Sequence, residues 1–186
     1  MLIKEVKGIK IGFGGLTYSD KNEDKYARVD EMVKYFNENE VDIKIITFHW
    51  GIERALKFNA TQEGLGTYAI DQGVDLVIGH HPHVLQGIQE YKDSYIVYSL
   101  ANFVFGGNKN PKDKDSMIYQ HRFTFEDGKL ISEEPIITPV SVSSKTYVND
   151  YQPTILEGTE KERVMGKILK YSKDFTYPIK KEETIE

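Results

Sequence analysis

The chain of 186 residues contains no cysteine. That excludes disulfides, thiolate metal sites and a cysteine nucleophile. It leaves the compartment open, because a cysteine-free chain suits oxidising and reducing surroundings alike. There is no run of about 18 apolar residues, so no membrane-spanning helix is expected. The opening residues, MLIKEVKGIKIGFGG, lack a long apolar stretch with a small-residue cleavage site, so no export signal is expected there. Positive charge is not in excess: 24 Lys+Arg stand against 29 Asp+Glu, a net charge of −5. A nucleic-acid partner held by phosphate contacts is therefore not expected. GxSxG and HExxH are missing too, which removes the serine-hydrolase elbow and the helix-borne zinc motif.

What is present suits a globular protein of one domain, or one and a piece. It is long enough to bury a core without metal or crosslinks. Ile9 to Phe13 reads as a strand. Residues 27–40 place Val29, Met32, Val33 and Phe36 on one helical face. DIKIITFHWG is nearly continuous in apolar residues, the look of a strand buried on both sides in a parallel sheet. A second helix is expected from Asn59 or Thr61, with Leu65, Tyr68 and Ala69 on one side and Gly73 just past its end. Asp75 to Gly79 is another short apolar strand. Together these form a parallel βαβ first half.

After residue 84 short strands and turns take over: VLQGIQEY, SYIVYSL, FVF, MIYQHRFTFEDGKLISEEPIIT and VSVSS. Asp127-Gly128 is a hairpin signal. This half is expected to be mixed or antiparallel. Residues 106–116 read as a polar loop without core residues. Thr159 and Glu162 fit a capping box, ahead of an apolar stripe of Val164, Met165, Ile168 and Leu169. The expected organisation is an α/β domain over 1–150, then a C-terminal helix and a frayed tail from about Tyr177 over 151–186.

Four of the five histidines fall in two places: His49 in FHWG, and His80, His81 and His83 in GHHPH. Each place follows a buried-strand pattern. In open α/β sheets ligands collect beyond the carboxyl ends of strands, so the two groups are expected to converge. Pro82 keeps the backbone at His81 out of helix. In an extended chain i and i+2 share a side, so His81 and His83 are expected to face one ion together. Imidazoles suit Zn, Mn, Fe, Ni or Cu. A lone histidine after a strand is more often a satisfied polar residue; the clustering carries the metal reading. His121, inside a strand pattern, reads as ordinary. Glu53 reads either as a carboxylate orienting an imidazole or as a solvated helix-start residue. Trp50 reads as core packing ahead of a pocket wall. Asn102 in SLANF binds a strand-end loop or a ligand. GFGG has part of a phosphate-loop pattern, but the rest is missing, and a nucleotide-binding domain would rest on that alone.

FHWG-x-E (48–53), DLVIGHHPHVLQ (75–86) and YSLANFVF (98–105), in this order and spacing, resemble the CapA/PgsA family of bacterial capsule and poly-γ-glutamate synthesis proteins. The likeness runs from about Val6 to Phe125. The resemblance implies a layered α/β sandwich like the C-terminal half of a metallo-dependent phosphatase fold. It implies metal-assisted hydrolysis or transfer at a phosphate or amide bond, with a divalent ion (Mn, Zn or Fe) held by His49, His81 and His83. His80 would be a further ligand or acid/base group, and Glu53 a catalytic aid. Ser99 and Asn102 match the family's YSLGNF block, where Ala101 replaces a glycine; with Trp50 they would line a substrate or structural loop.

The family's Gly-Asp, Asn-Leu-Glu and Asn-Asn-His motifs do not occur in this chain, so an incomplete or mononuclear site is expected. A separately encoded N-terminal half or a second copy would then be the partner. A non-catalytic module binding a partner chain or an anionic polymer is the other reading. The family's setting is membrane-anchored and extracytoplasmic.

Overall fold

The start of the chain folds back on itself. In the computed structural model, described over residues 1–17 and 24–176, β1 (Leu2–Val6) and β2 (Ile9–Thr17) pair antiparallel around Lys7-Gly8. Both turn residues have positive φ, +51° and +82°, as a two-residue type I′ turn requires. Lysine is an unusual first residue for that turn, and β1 was not legible in the sequence.

β2 lies parallel to β3 (Ile43–His49), which lies parallel to β4 (Leu76–His80). The crossovers carry α1 (Lys25–Glu38) and α2 (Ala60–Asp71). The Asp24 carboxylate caps α1, and an Asn59/Gln62 capping box starts α2. β5 (Ile88–Tyr91) and β6 (Ser94–Val97) complete a six-stranded sheet of order β1-β2-β3-β4-β6-β5, with β6 parallel to β4. Val29, Met32, Val33 and Phe36 of α1 and Leu65 and Ala69 of α2 pack with Ile46, Phe48, Val77, Ile96 and Tyr98.

GFGG belongs to this packing. A Cβ on Gly12 would sit 2.7 Å from the Phe36 ring, and one on Gly14 2.7 Å from Met32 Sδ. These two glycines let α1 close onto β2.

The opposite face is covered over part of its width. β7 (Asp115–Glu126) and β8 (Lys129–Ser141) form a long hairpin through Asp127-Gly128, and β9 (Thr154–Ile155) adds to β8. α3 (Gly158–Tyr171) sends Val164 and Ile168 into a second core with Leu85, Ile88, Val97, Met117 and Ile137. The architecture is a layered, mixed α/β sandwich. Over β1 and β2 that face is bare among the described residues: Leu2, Val6 and Phe13 are 53%, 52% and 38% exposed. Leu2 and Phe13 are register partners, so they share one side.

Three local expectations give way. FVF forms a loop, with Phe103 and Val104 exposed. The polar 106–116 stretch contains buried Asp115 and Ser116; Arg163 grips the Asp115 carboxylate in bidentate fashion at 2.7 and 2.9 Å, and Lys167 joins at 2.9 Å. That partnering is what lets a carboxylate sit inside. Thr159 does not cap α3. The helix begins at Gly158 after Glu157, whose side chain makes no capping bond. Its start is fixed by the β9 pairing and the Leu156 N–H donating to the Pro139 carbonyl at 3.0 Å. The expected tail from Tyr177 lies outside the described residues.

Candidate metal centre

The β3–β4 register sets His49 directly beside His80 at the carboxyl ends of the strands. Hydrogen bonding continues past both strands. The Trp50 N–H donates to the His80 carbonyl at 3.0 Å, and the Arg54 N–H to the Pro82 carbonyl at 2.7 Å. The segment after β3 is thereby drawn along the GHHPH turn. One ligand atom from each of Glu53, His81 and His83 lies within 4.8 Å of the other two. Two donors about 2.1 Å from one ion are at most about 4.2 Å apart, so the trio is spread slightly wider than a single ion would hold it. One carboxylate and two imidazoles form a donor set suited to Zn, Mn or Fe.

The backbone reaches this arrangement by a different route from the one the sequence suggests. His81 and His83 are not extended: their φ values are +102° and +60°. Such values cost a side-chain-bearing residue on the order of 1–3 kcal/mol and persist only where surroundings enforce them. The Arg54–Pro82 bond and Asn102 do so here. Asn102 Oδ1 lies 2.7 Å from His83 Nδ1, while Asn102 Nδ2 donates to the His83 carbonyl at 3.3 Å. The amide oxygen can only accept, so Nδ1 of His83 carries a proton. In the neutral ring Nε2 is then the free lone pair.

His49 is exposed and stands outside the trio, its ring centroid 4.7 Å from that of His81. Burial, and then the charges of His81 and His83, push the His49 pKa below its ordinary value. Burial, and then His49, does the same for His80. A lowered pKa favours the neutral imidazole, the form in which a ring nitrogen can bind a metal or take a proton. His121 is distant in role: Nδ1 meets the Tyr119 hydroxyl at 2.8 Å and Nε2 meets Glu133 at 2.9 Å, so both nitrogens are partnered.

Trp50 packs in the core at 2% exposure, stacked on Phe48, with Nε1 donating to the Tyr98 carbonyl at 2.9 Å. Ser99 is fully buried; its Oγ accepts the Ala101 N–H at 3.2 Å. Ala101 has φ +65°, so a left-handed residue is required where the resemblance places glycine.

Sequence reasoning missed Gln86. It is fully buried, accepts from Gln62 Nε2 at 2.9 Å, and donates to the Ala55 and Lys57 carbonyls at 2.9 and 3.2 Å. It pins the segment just after Glu53. A polar residue inside the apolar VLQGI run was the available signal.

Residues 1–107 match the bacterial capsule synthesis protein family PGA_cap. The chain is 37% identical over 95 residues to the "Capsule biosynthesis protein CapA" of Bacillus anthracis, covering 51% of this chain and 23% of that protein. It is 38% identical over 105 residues to the "PGA biosynthesis protein CapA" of Bacillus subtilis strain 168, covering 56% and 26%. The chain thus spans about a quarter of the length of these relatives. A crystal structure of a hypothetical protein from Thermus thermophilus aligns at TM-score 0.49 and 16% identity, covering 74% of this chain and 61% of that one. With more than half its length matched, and with HWG, GHHPH and the SLANF block gathered at one sheet rim, the chain belongs to the bacterial capsule synthesis family PGA_cap.

Proposed function

We propose that this chain binds a single divalent ion through Glu53, His81 and His83. In our reading it serves capsule or poly-γ-glutamate synthesis as a metal-dependent hydrolase or transferase acting on a phosphate or amide bond. The observation that carries the reading is the Glu53–His81–His83 trio, with its donor atoms within 4.8 Å of one another. When bound, the ion would polarise a substrate oxygen and lower the pKa of a water. The chain's own groups do the rest. Asn102 holds His83 in the tautomer that presents Nε2. His49 and His80, beside the trio, would take a proton as neutral imidazoles and return it once protonated.

A second reading has its own support. The trio brings one carboxylate, and Leu2, Val6 and Phe13 are not covered by any other described residue on their side of the sheet. A partner chain, whether an N-terminal half made separately or a second copy, would cover that face and add oxygen ligands. In that reading the chain is a module without turnover of its own.

Equilibrium dialysis with Zn²⁺ and Mn²⁺, read by elemental analysis, tests the first reading. One ion per chain is expected, lost in His81→Ala and Glu53→Gln while the fold is retained by circular dichroism. A folded wild type that binds no ion, or variants that keep it, overturns the assignment. Turnover of generic phosphate esters by the ion-loaded chain separates enzyme from module.

A further inference from the structure

Next to the trio lies a cleft of about 590 Å³ that the ion-binding residues do not account for. Its walls are the 100–105 segment and the start of β7, and its lining is mostly apolar: Leu100, Phe103, Val104, Phe105, Met117 and Ile118. The few polar groups are His80, Asn102, Ser116 and Tyr119. The Ser116 hydroxyl donates to the Leu100 carbonyl at 3.0 Å and ties the two walls together. Its volume and largely apolar lining fall in the range of small-molecule sites, and it opens widely to solvent. Phe103 and Val104 are 47% and 65% exposed on its rim, two adjacent apolar side chains open to solvent.

The cleft and the trio share a border. Asn102 lines the cleft and hydrogen-bonds His83 at 2.7 Å. Phe105 lines it as well, with its ring centroid 5.1 Å from that of His83. His80 faces it and sits beside His49 in register. None of the three trio residues lines the cleft, so a molecule with a charged oxygen group at the trio reaches the apolar floor past Asn102 and the Phe105 ring, the two cleft residues beside His83.

We propose that the cleft takes the hydrocarbon arm of an amphiphilic phosphate, an alkyl phosphate ester, whose head group is held at the Glu53–His81–His83 ion. The proposal rests on the ion-binding reading for the head group. The apolar floor, beside a donor set that draws oxyanions through its ion, favours this occupant over a wholly polar one.

Calorimetric titration of the Zn²⁺-loaded chain with inorganic phosphate and with butyl, hexyl and octyl phosphate below micelle formation tests it. Each buried methylene is expected to tighten binding roughly fourfold. Ile118→Glu and Val104→Glu, both at exposed positions, should flatten that series. Phe13→Glu, on the bare sheet face, should leave the series intact. Equal affinity for phosphate and octyl phosphate overturns the proposal. So does a series that survives Ile118→Glu and Val104→Glu, or one abolished by Phe13→Glu. If the chain takes up no ion, the head-group half falls. 1-Octanol then probes the cleft alone: binding lost in Ile118→Glu keeps it as a hydrocarbon site, and binding unaffected by that change removes it.

Discussion

Adding one methyl group at Gly79 should unseat the strand that delivers the histidines. A Cβ there would lie 2.0 Å from the Tyr98 carbonyl oxygen and 2.4 Å from Trp50 Nε1. The backbone contact cannot be relieved by a side-chain rotation, so β4 and the Tyr98 backbone must separate. Separation breaks the 2.9 Å Trp50–Tyr98 hydrogen bond and leaves a buried indole N–H without a partner, at about 1–3 kcal/mol. Overpacking adds about 1–3 kcal/mol. Gly79→Ala is therefore expected to cost about 4 kcal/mol, a large share of the roughly 5–15 kcal/mol that holds a domain folded. Urea unfolding reads this directly, because Trp50 is the sole tryptophan and is 2% exposed. The midpoint should fall with little change in slope, and the native emission should shift to the red. Gly106→Ala is the control, since a Cβ there meets nothing within 4 Å. A Gly79→Ala protein within about 1 kcal/mol of wild type, with unchanged emission, would show that the close contact is not carried by the folded chain.

Two further outcomes follow from the same geometry. Ala101 sits at φ +65°; an L-residue there costs about 1–2 kcal/mol, partly offset by the greater unfolded-state freedom of glycine, about 0.4–1 kcal/mol. Ala101→Gly should raise the thermal midpoint by an amount equivalent to about 0.5–1 kcal/mol, and a lowered midpoint contradicts the strain. Burial pushes the Asp115 pKa up, but hydrogen bonds from Arg163 and Lys167 outweigh it and hold the carboxyl below its ordinary value of 3.8. A depressed folded-state pKa gives stability that is present above the unfolded value and lost as pH falls through the folded one. Asp115→Asn should thus be less stable than wild type at neutral pH, with the gap closing in acid below the ordinary carboxylate range. A gap that is constant with pH rules out the charge pairing as its source.

The parallel half was legible because its signals are dense. Ile43, Ile45, Ile46 and Phe48 leave no polar face, and Gly73, with φ +94°, marks the end of α2 as expected. β1 was not legible, because Lys7 gives no turn signal of its own. The convergence of His49 with the GHHPH turn followed from strand-end logic. The reason His81 and His83 meet did not: tertiary hydrogen bonds from Arg54 and Asn102 override the extended preference around Pro82. Glu53 was read as an outlying helper. Its place among the donors depends on the Arg54–Pro82 and Gln86 bonds, which join residues about 30 positions apart and leave no periodic trace.

The two stitches from Trp50 and Arg54 to the turn beyond β4 have a kinetic meaning. The three candidate donors do not ride on independent flaps; the carboxylate side and the imidazole side are joined along one seam. Opening that seam would part Glu53 from His81 and His83 together. An ion held there would depart when the rim of the sheet frays, not by shedding one bond at a time. Its residence would then report on the firmness of the strand ends as much as on the chemistry of the donors.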